Sequence, residues 1–440
     1  MSTDGPAAAP AIADLVAAFA PGPADPPPLE LARRVLATVS DHDRWRQTVV
    51  NLIAAEGLMS RTARSVLSSD LASRLTEGLP GDKDVSSSPV ESNRHIEQIE
   101  VTIAGLARRL FGAAYAEWRP ASNSMANAAV LRAVTRPGDL IAVQPLAGGA
   151  NISYQEAGVA GVLGLRTAEL PATADFGIDG AAAAAEIIRL RPRAVVVGGS
   201  KVLFPYPLHE LRAAADQVGA VLLLDAAHVA PLIAGGRFAD PFADGAHVLT
   251  LGTHKSMGGP VGGLVLTNDA QIAAGVSAAI YPGFLQTRDQ NKYAAAAIAL
   301  AELLEHRTAY AAALVANAQA LAAALAAAGF QLLGADRGYT QTHLLLIDAG
   351  PRATALAAAC SREGILMGPT NIPGDAPGTR GGVRMSVGQV TRQGMTPAEM
   401  EIIAGLIADA GAGRRGVARR ATELARSFPG VGFSFDAELS

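Results

Sequence analysis

Between about residues 100 and 270, short apolar runs alternate with amphipathic stretches of helical period. The runs at 140–143, 194–197, 221–224, 247–251 and 263–266 predict strands, and their alternation with helices predicts a mostly parallel sheet covered on both faces. A long alanine-rich helical stretch at 294–328 follows, placed to bridge to a second domain. Beyond it, runs at 342–347, 364–367 and 383–387 predict strands of a smaller C-terminal α/β domain. Upstream, residues 29–75 read as helical except for the apolar run Val49-Val50-Asn51-Leu52-Ile53, which predicts an arm of about two helices, of the kind that wraps a partner subunit. Residues 1–28, rich in Ala and Pro, carry too little patterned hydrophobicity to pack and are expected to form a flexible leader. The pattern thus divides the chain into a leader at 1–28, a helical arm at 29–75, a large domain at 76–310 and a small domain at 311–440.

Composition narrows the function. Half of the 440 residues are apolar and 17% are charged, with a formal net charge of −4. No basic field invites nucleic acid, and small-molecule partners are expected. The most apolar stretches are interrupted by Asp225, His228 or Glu302 before about 20 residues, so no membrane span is expected. The N-terminus lacks the basic and apolar regions of a signal peptide, which points to the cytoplasm. The one cysteine, Cys360, leaves no internal disulfide and no Cys-rich metal site.

Chemistry enters at two strand ends, Leu222-Leu223-Leu224-Asp225 and Thr250-Leu251-Gly252-Thr253-His254-Lys255. Ligands of open α/β sheets sit beyond the carboxyl ends of strands. An aspartate there can keep a pyridine nitrogen protonated and a lysine can form an imine with an aldehyde, which together suit pyridoxal phosphate. Singly, each has a plainer reading: the Asp as a helix cap, the Lys as a solvated side chain. Ser122-Asn123-Ser124 offers hydroxyls and backbone amides at a predicted helix N-terminus, where phosphate is favoured, although the same residues make an ordinary cap. The glycines of Gly258-Gly259-Pro260-Val261-Gly262-Gly263 permit close approach to a phosphate and equally suit a turn into a strand.

Several stretches together resemble the serine hydroxymethyltransferase family. They are Asn51 to Glu56, Glu77-Gly78-Leu79-Pro80-Gly81, Asp225-Ala226-Ala227-His228, Thr253-His254-Lys255 with Gly259-Pro260 and Gly262-Gly263, Tyr281-Pro282-Gly283 and Gly382-Val383-Arg384. The resemblance implies a fold type I pyridoxal-phosphate enzyme, aspartate aminotransferase-like, with a large mostly parallel sheet domain and a smaller C-terminal α/β domain. It implies that Lys255 is the Schiff-base lysine, Asp225 the pyridinium partner, and His228 and Ser200 neighbours of the ring hydroxyl. Ser122, Asn123 and Ser124 match the phosphate loop, with Asn123 where the family has glycine. Thr253, His254, Gly262 and Gly263 complete the cofactor surroundings. Arg384 matches the arginine for the substrate carboxylate. Glu77 matches the acid/base glutamate that reaches the substrate hydroxyl from the neighbouring subunit, so a homodimer with shared active sites is implied.

Departures from the family gather on the substrate side. No tyrosine precedes Tyr115, so the family tyrosines around the Glu77 turn are replaced by Leu75 and the stretch Asp84 to Ser88. Gly148 stands where the ring-stacking histidine is expected, Ala55 replaces a carboxylate-side serine, and Val261 replaces an arginine. The segment Ile372 to Asp375 does not keep the folate-side pattern. This combination predicts a folate-independent aldolase or transaldolase that breaks or exchanges the Cα–Cβ bond of a threonine- or serine-like β-hydroxy-α-amino acid through a glycine quinonoid, in specialised metabolism. The alternatives are a tetrahydrofolate-dependent hydroxymethyltransferase, a racemase or transaminase acting at Cα, and a non-catalytic cofactor-binding regulator.

Overall fold

The computed structural model describes residues 27–81, 90–376 and 378–439. Most of the expected leader and the stretch Asp84 to Ser88 lie outside these residues. The chain forms two compact units, Met1–Thr48 and Val49–Ser440. In the first, helix α1 (Pro28–Arg46) begins with proline in its first turn, has Glu30 near its N-terminus and ends with Arg44 and Arg46, charges that complement the helix dipole. It buries no side chain, and Leu29, Leu36, Val39 and Trp45 are exposed along it.

The second unit opens with β1 (Val50–Asn51), inside the apolar run excepted from the helical reading of 29–75, and the arm's second helix is a short one. α1 is one helix, and residues 49–75 instead form a strand, a short helix at Arg61–Ser65 capped by Ser60, and 3-10 turns. The β-branched run around Val50 favours extended backbone, and β1 satisfies its hydrogen bonds by pairing in parallel with a strand more than 300 residues away, Val50 beside Ile365.

After helix α2 (Val90–Phe111) come β2 (Tyr115–Glu117), helix α3 (Asn123–Val134), β3 (Leu140–Val143), β4 (Arg166–Glu169), β5 (Ala194–Gly198), β6 (Val221–Asp225), β7 (Val248–Gly252) and β8 (Gly263–Thr267). They make one seven-stranded sheet in the order β2-β8-β7-β6-β5-β3-β4, parallel from β7 to β4 and antiparallel at β8. Strands β5, β7 and β8 are buried at every position, as continuous apolar runs under helices on both faces should be. Register sets Gly198 beside Asp225, and Asp225 beside Thr250, so three carboxyl ends align. Gly198 adopts φ +100°, and a Cβ on it would lie 2.2 Å from the Asp225 carbonyl oxygen. Only glycine permits that approach.

Helix α4 (Gln290–Ala327) runs 38 residues. It is long and apolar enough to cross a membrane by length and composition. Its Leu300, Tyr310, Leu314, Leu321 and Leu325 nevertheless join the main core, and its fully buried Glu302 pairs with Arg392 at 2.6 Å. It is a core helix. Beyond it, β9 (Gln331–Leu332), β10 (Leu344–Asp348), β12 (Gly368–Thr370) and β13 (Gly382–Ser386) build an antiparallel sheet in the order β12-β13-β10-β9, while β11 (Ile365–Leu366) is the partner of β1. Helix α5 (Pro397–Gly411), started by a capping box of Thr396 and Glu399, closes this region.

Candidate active site

Asp225 ends β6 and is 1% exposed. Its carboxylate accepts from the Ala227 amide (3.1 Å), the Tyr154 hydroxyl (3.1 Å), Asn127 Nδ2 (3.3 Å) and Asn123 Nδ2 (3.2 Å). Asn123 and Asn127 sit one helical turn apart on α3, which puts both amides on the face toward the strand ends. Burial, with the charge of Asp225, drives the Tyr154 phenol well above its ordinary range, so it stays a donor. Tyr154 and Asn127 are site residues that sequence reasoning missed; only the helical spacing from Asn123 could have pointed to one of them.

Lys255 lies in the turn after β7, 8% exposed. Burial pushes its amine down to about 8, against the opposing pull of Asp225 and helped by the charge of Arg384. Beside it, His228 is held well below its usual range by burial first and then by the charges of Lys255 and Arg384. The rings of His228 and His343 stack at 5.9 Å, and His343 bridges the Ser386 hydroxyl and the His228 carbonyl, each at 2.7 Å. Burial brings His343 to about 4, and burial with the Lys255 charge brings His254 to about 4. Both imidazoles are therefore neutral at physiological pH. The nearby Gly57 was also missed: a Cβ there would sit 1.8 Å from the Lys255 carbonyl oxygen, so the segment after Glu56 passes directly against the lysine turn.

Ser122 caps α3, its hydroxyl accepting from the Met125 amide at 3.2 Å, and Ser124 is exposed in the first turn. The Gly-rich loop lies against this helix end: the Gly263 amide donates to Pro120 O at 2.9 Å, and a Cβ on Gly263 would be 2.4 Å from Ser122 O. Gly262 flanks it, with Thr253 Oγ1 only 3.0 Å from where its Cβ would stand. Thr253 donates its own hydroxyl to Pro260 O at 2.5 Å and so ties the loop in place.

Arg384, in the middle of β13, donates to Ser200 O at 2.7 Å, joining the small sheet to the end of β5. Its guanidinium is largely buried, and burial lowers it from its usual value. Among the described residues it pairs with no carboxylate. Gly148 is packed so that a Cβ would meet Ala172 Cβ at 2.8 Å and Pro145 Cγ at 3.0 Å. The loop has closed around the glycine and leaves a histidine no room at this position.

Glu77 is placed differently. The Tyr281 hydroxyl donates to its carboxylate at 3.3 Å, and Arg288 holds the backbone on either side, donating to Thr76 O at 2.8 Å and Gly78 O at 3.0 Å. Glu77 is not among the charges that shift Lys255. Structure therefore gathers Asp225, Lys255, His228, His254, Ser200, Arg384 and the Ser122 helix end, and sets Glu77 with Tyr281 and Arg288.

Buried within the first group, His228 Nδ1, His254 Nδ1 and Asn123 Oδ1 have no hydrogen-bond partner among the described residues. Orphaned polar atoms around a desolvated lysine and a strand-end carboxylate, next to a helix N-terminus, fit a planar pyridine aldehyde carrying a phosphate. The fold and this set of residues define a fold type I pyridoxal-phosphate enzyme. The serine hydroxymethyltransferase profile matches residues 30–407, and the chain belongs to that family. It is 40% identical to an alpha-methylserine aldolase of Variovorax paradoxus over 371 residues, 83% of this chain and 82% of that relative. It is 36% identical to a serine hydroxymethyltransferase of Methanopyrus kandleri, covering 92% of this chain and 96% of the relative. Its structure resembles that of L-threonine transaldolase from Pseudomonas fluorescens in the internal aldimine state, with a TM-score of 0.87 and 26% identity over 94% of this chain and 95% of that one. Pyridoxal 5'-phosphate is its cofactor, and its activity is that of an aldol-type transferase or lyase working at the Cα–Cβ bond of an amino acid.

Proposed function

We propose that this enzyme cleaves or exchanges the Cα–Cβ bond of a β-hydroxy-α-amino acid without folate, as an aldolase or transaldolase. The observation that carries this reading is Arg384, a half-buried guanidinium beside Lys255 and His228 that pairs with no carboxylate among the described residues. A buried unpaired cation is costly unless a ligand completes it, and the planar fork of arginine suits an α-carboxylate. Folate independence is supported by the relatives named for aldolase and transaldolase activity and by the segment beyond β12. There Asn371 accepts from Lys201, and Asp375 caps the Ile372 and Gly381 amides, so these polar groups face inward contacts.

Bound pyridoxal phosphate supplies an electron sink for the pair released at Cα. Lys255 would hold it covalently, Asp225 would face its ring nitrogen, His228 and Ser200 its ring hydroxyl, and Ser122, Asn123 and Ser124 with the Gly262-Gly263 turn its phosphate. Arg384 orients the amino acid by its carboxylate. Glu77 accepts the β-hydroxyl proton as the aldehyde departs and returns it in the reverse direction. Lys255, neutral above about pH 8, can carry a proton to or from Cα.

Glu77 is proposed to act on the site of a second copy, making a cytoplasmic homodimer. The face bearing its turn carries an apolar groove of about 800 Å³ lined by Leu79, Pro80, Tyr115, Trp118 and Tyr281, a surface a second copy would cover. The exposed apolar residues of α1 offer a second contact of the same kind.

The test is aldehyde release by purified holoenzyme from L-threonine, L-serine and α-methylserine, with and without tetrahydrofolate. Folate-independent release that Lys255→Ala abolishes is the expected result. Serine turnover only with folate would make the enzyme a hydroxymethyltransferase, keto-acid formation a transaminase, and epimerisation a racemase. Spectral binding without any turnover would make it a regulator.

A further inference from the structure

The substrate side holds a second buried cation that the chemistry above does not use. Lys201 follows Ser200 beyond β5 and is 5% exposed. Its ammonium donates to Asn371 Oδ1 at 2.8 Å and lies 5.2 Å from the centre of the Phe176 ring. An ammonium has three donors, and Asn371 occupies one. Burial, then the charge of Arg384, pushes Lys201 down to about 8, while Asp375 opposes the shift. Asp375 itself is turned to the backbone, accepting from the Ile372 and Gly381 amides at 2.8 Å each. Among the described residues neither Lys201 nor Arg384 forms an ion pair with a carboxylate.

A buried and a half-buried cation that repel one another, with no carboxylate ion-paired to either among the described residues, form an arrangement that a ligand anion would complete. The two are held by different anchors, Arg384 by the Ser200 carbonyl on the β5 loop and Lys201 by Asn371 beyond β12. A single α-carboxylate satisfies the arginine fork and leaves the lysine unmatched.

We propose that Lys201 binds a second anionic group, a carboxylate or a phosphate, on the donor amino acid or the acceptor aldehyde, and so selects a substrate with more negative charge than its α-carboxylate supplies. This rests on the aldol reading for its kinetic test and on cofactor binding alone for its second test.

In the kinetic test, transaldol product formation is compared for succinic semialdehyde against butanal, and for glyceraldehyde 3-phosphate against glyceraldehyde. Cleavage of 3-hydroxyaspartate is compared against threonine. The first two pairs place the anion on the acceptor, with carboxylate or phosphate, and the third places it on the donor. Wild type is expected to prefer the anionic member of at least one pair in kcat/KM, and Lys201→Met to reduce that preference at least about tenfold, the size of one lost charge-assisted hydrogen bond. Lys201→Arg keeps the charge and is expected to keep most of the preference. In the second test, holoenzyme absorbance is titrated with L-aspartate and L-alanine, and Lys201→Met is expected to weaken aspartate more than alanine. Equal losses for anionic and neutral partners in both variants would overturn the proposal, as would a wild type with no anionic preference. If no donor releases aldehyde, the aldol reading falls, while the titration still decides the role of Lys201.

Discussion

Asp225 receives hydrogen bonds from Asn123, Asn127, Tyr154 and the Ala227 amide, which nearly fills the acceptor sites of a carboxylate. A pyridinium N–H needs one of them, and Asn123, the residue standing in place of a glycine, is the donor nearest to the phosphate loop. Asn123→Gly is therefore expected to tighten pyridoxal phosphate by roughly three- to tenfold, one hydrogen bond's worth, read by titrating apoprotein with cofactor. An unchanged or weaker affinity would show that Asn123 supports the ring rather than competing with it. Lys255 gives a pH prediction. In its proposed role its neutral form is the nucleophile, and with the amine at about 8 the neutral fraction climbs from about one tenth at pH 7 to about nine tenths at pH 9. Cofactor capture by apoprotein should accelerate about ninefold across that interval and then level off. A lysine at its ordinary value would keep accelerating to above pH 10.

At the scale of elements, Arg288 links three segments. It pairs with Glu100 of α2 at 3.3 Å, both side chains fully buried, and donates to the carbonyls flanking Glu77. Arg288→Met removes a buried charge partner of Glu100 and the hold on the carbonyls flanking Glu77, and should cost about 3–5 kcal/mol of unfolding free energy in a denaturant titration. The double variant with Glu100→Leu should recover part of it, because the buried carboxylate that Arg288 pairs with is removed as well. If the single variant proves neutral, water reaches Glu100 and the pair is not a structural anchor. The strands β3, β5, β6, β7 and β8 were legible because each is an apolar run, the last four ending at Gly, Asp or Thr. Strands β2 and β4 were not, being short, polar and at the two sheet edges, where one flank needs no apolar cover. The run that holds β1 stood out from the helical arm, but its pairing did not, because its partner lies more than 300 residues away and no local period reports such a pairing.

For the whole molecule, complementation is the decisive test of the proposed homodimer. Inactive Lys255→Ala and Glu77→Gln proteins, mixed one to one and allowed to exchange subunits, should regain about a quarter of wild-type activity. Half the dimers would then be mixed, and each mixed dimer would hold one site with both residues intact. No regain, with exchange verified by differently tagged subunits, would place Glu77 in the site of its own chain.

The sequence by itself determined the cofactor half of this enzyme. Asp225 ends a recognisable strand and Lys255 follows another, the Ser122 helix start follows ordinary capping chemistry, and these signals are local, so neighbouring residues in the chain carry them. Only the tertiary structure decided the substrate half. Arg384 and Lys201 become a pair of uncompensated cations, Gly148 becomes a closed position, and Tyr154 and Asn127 join Asp225, through contacts between segments far apart in sequence. Burial and charge proximity, which set what each of these groups can do, exist only once those segments have packed together.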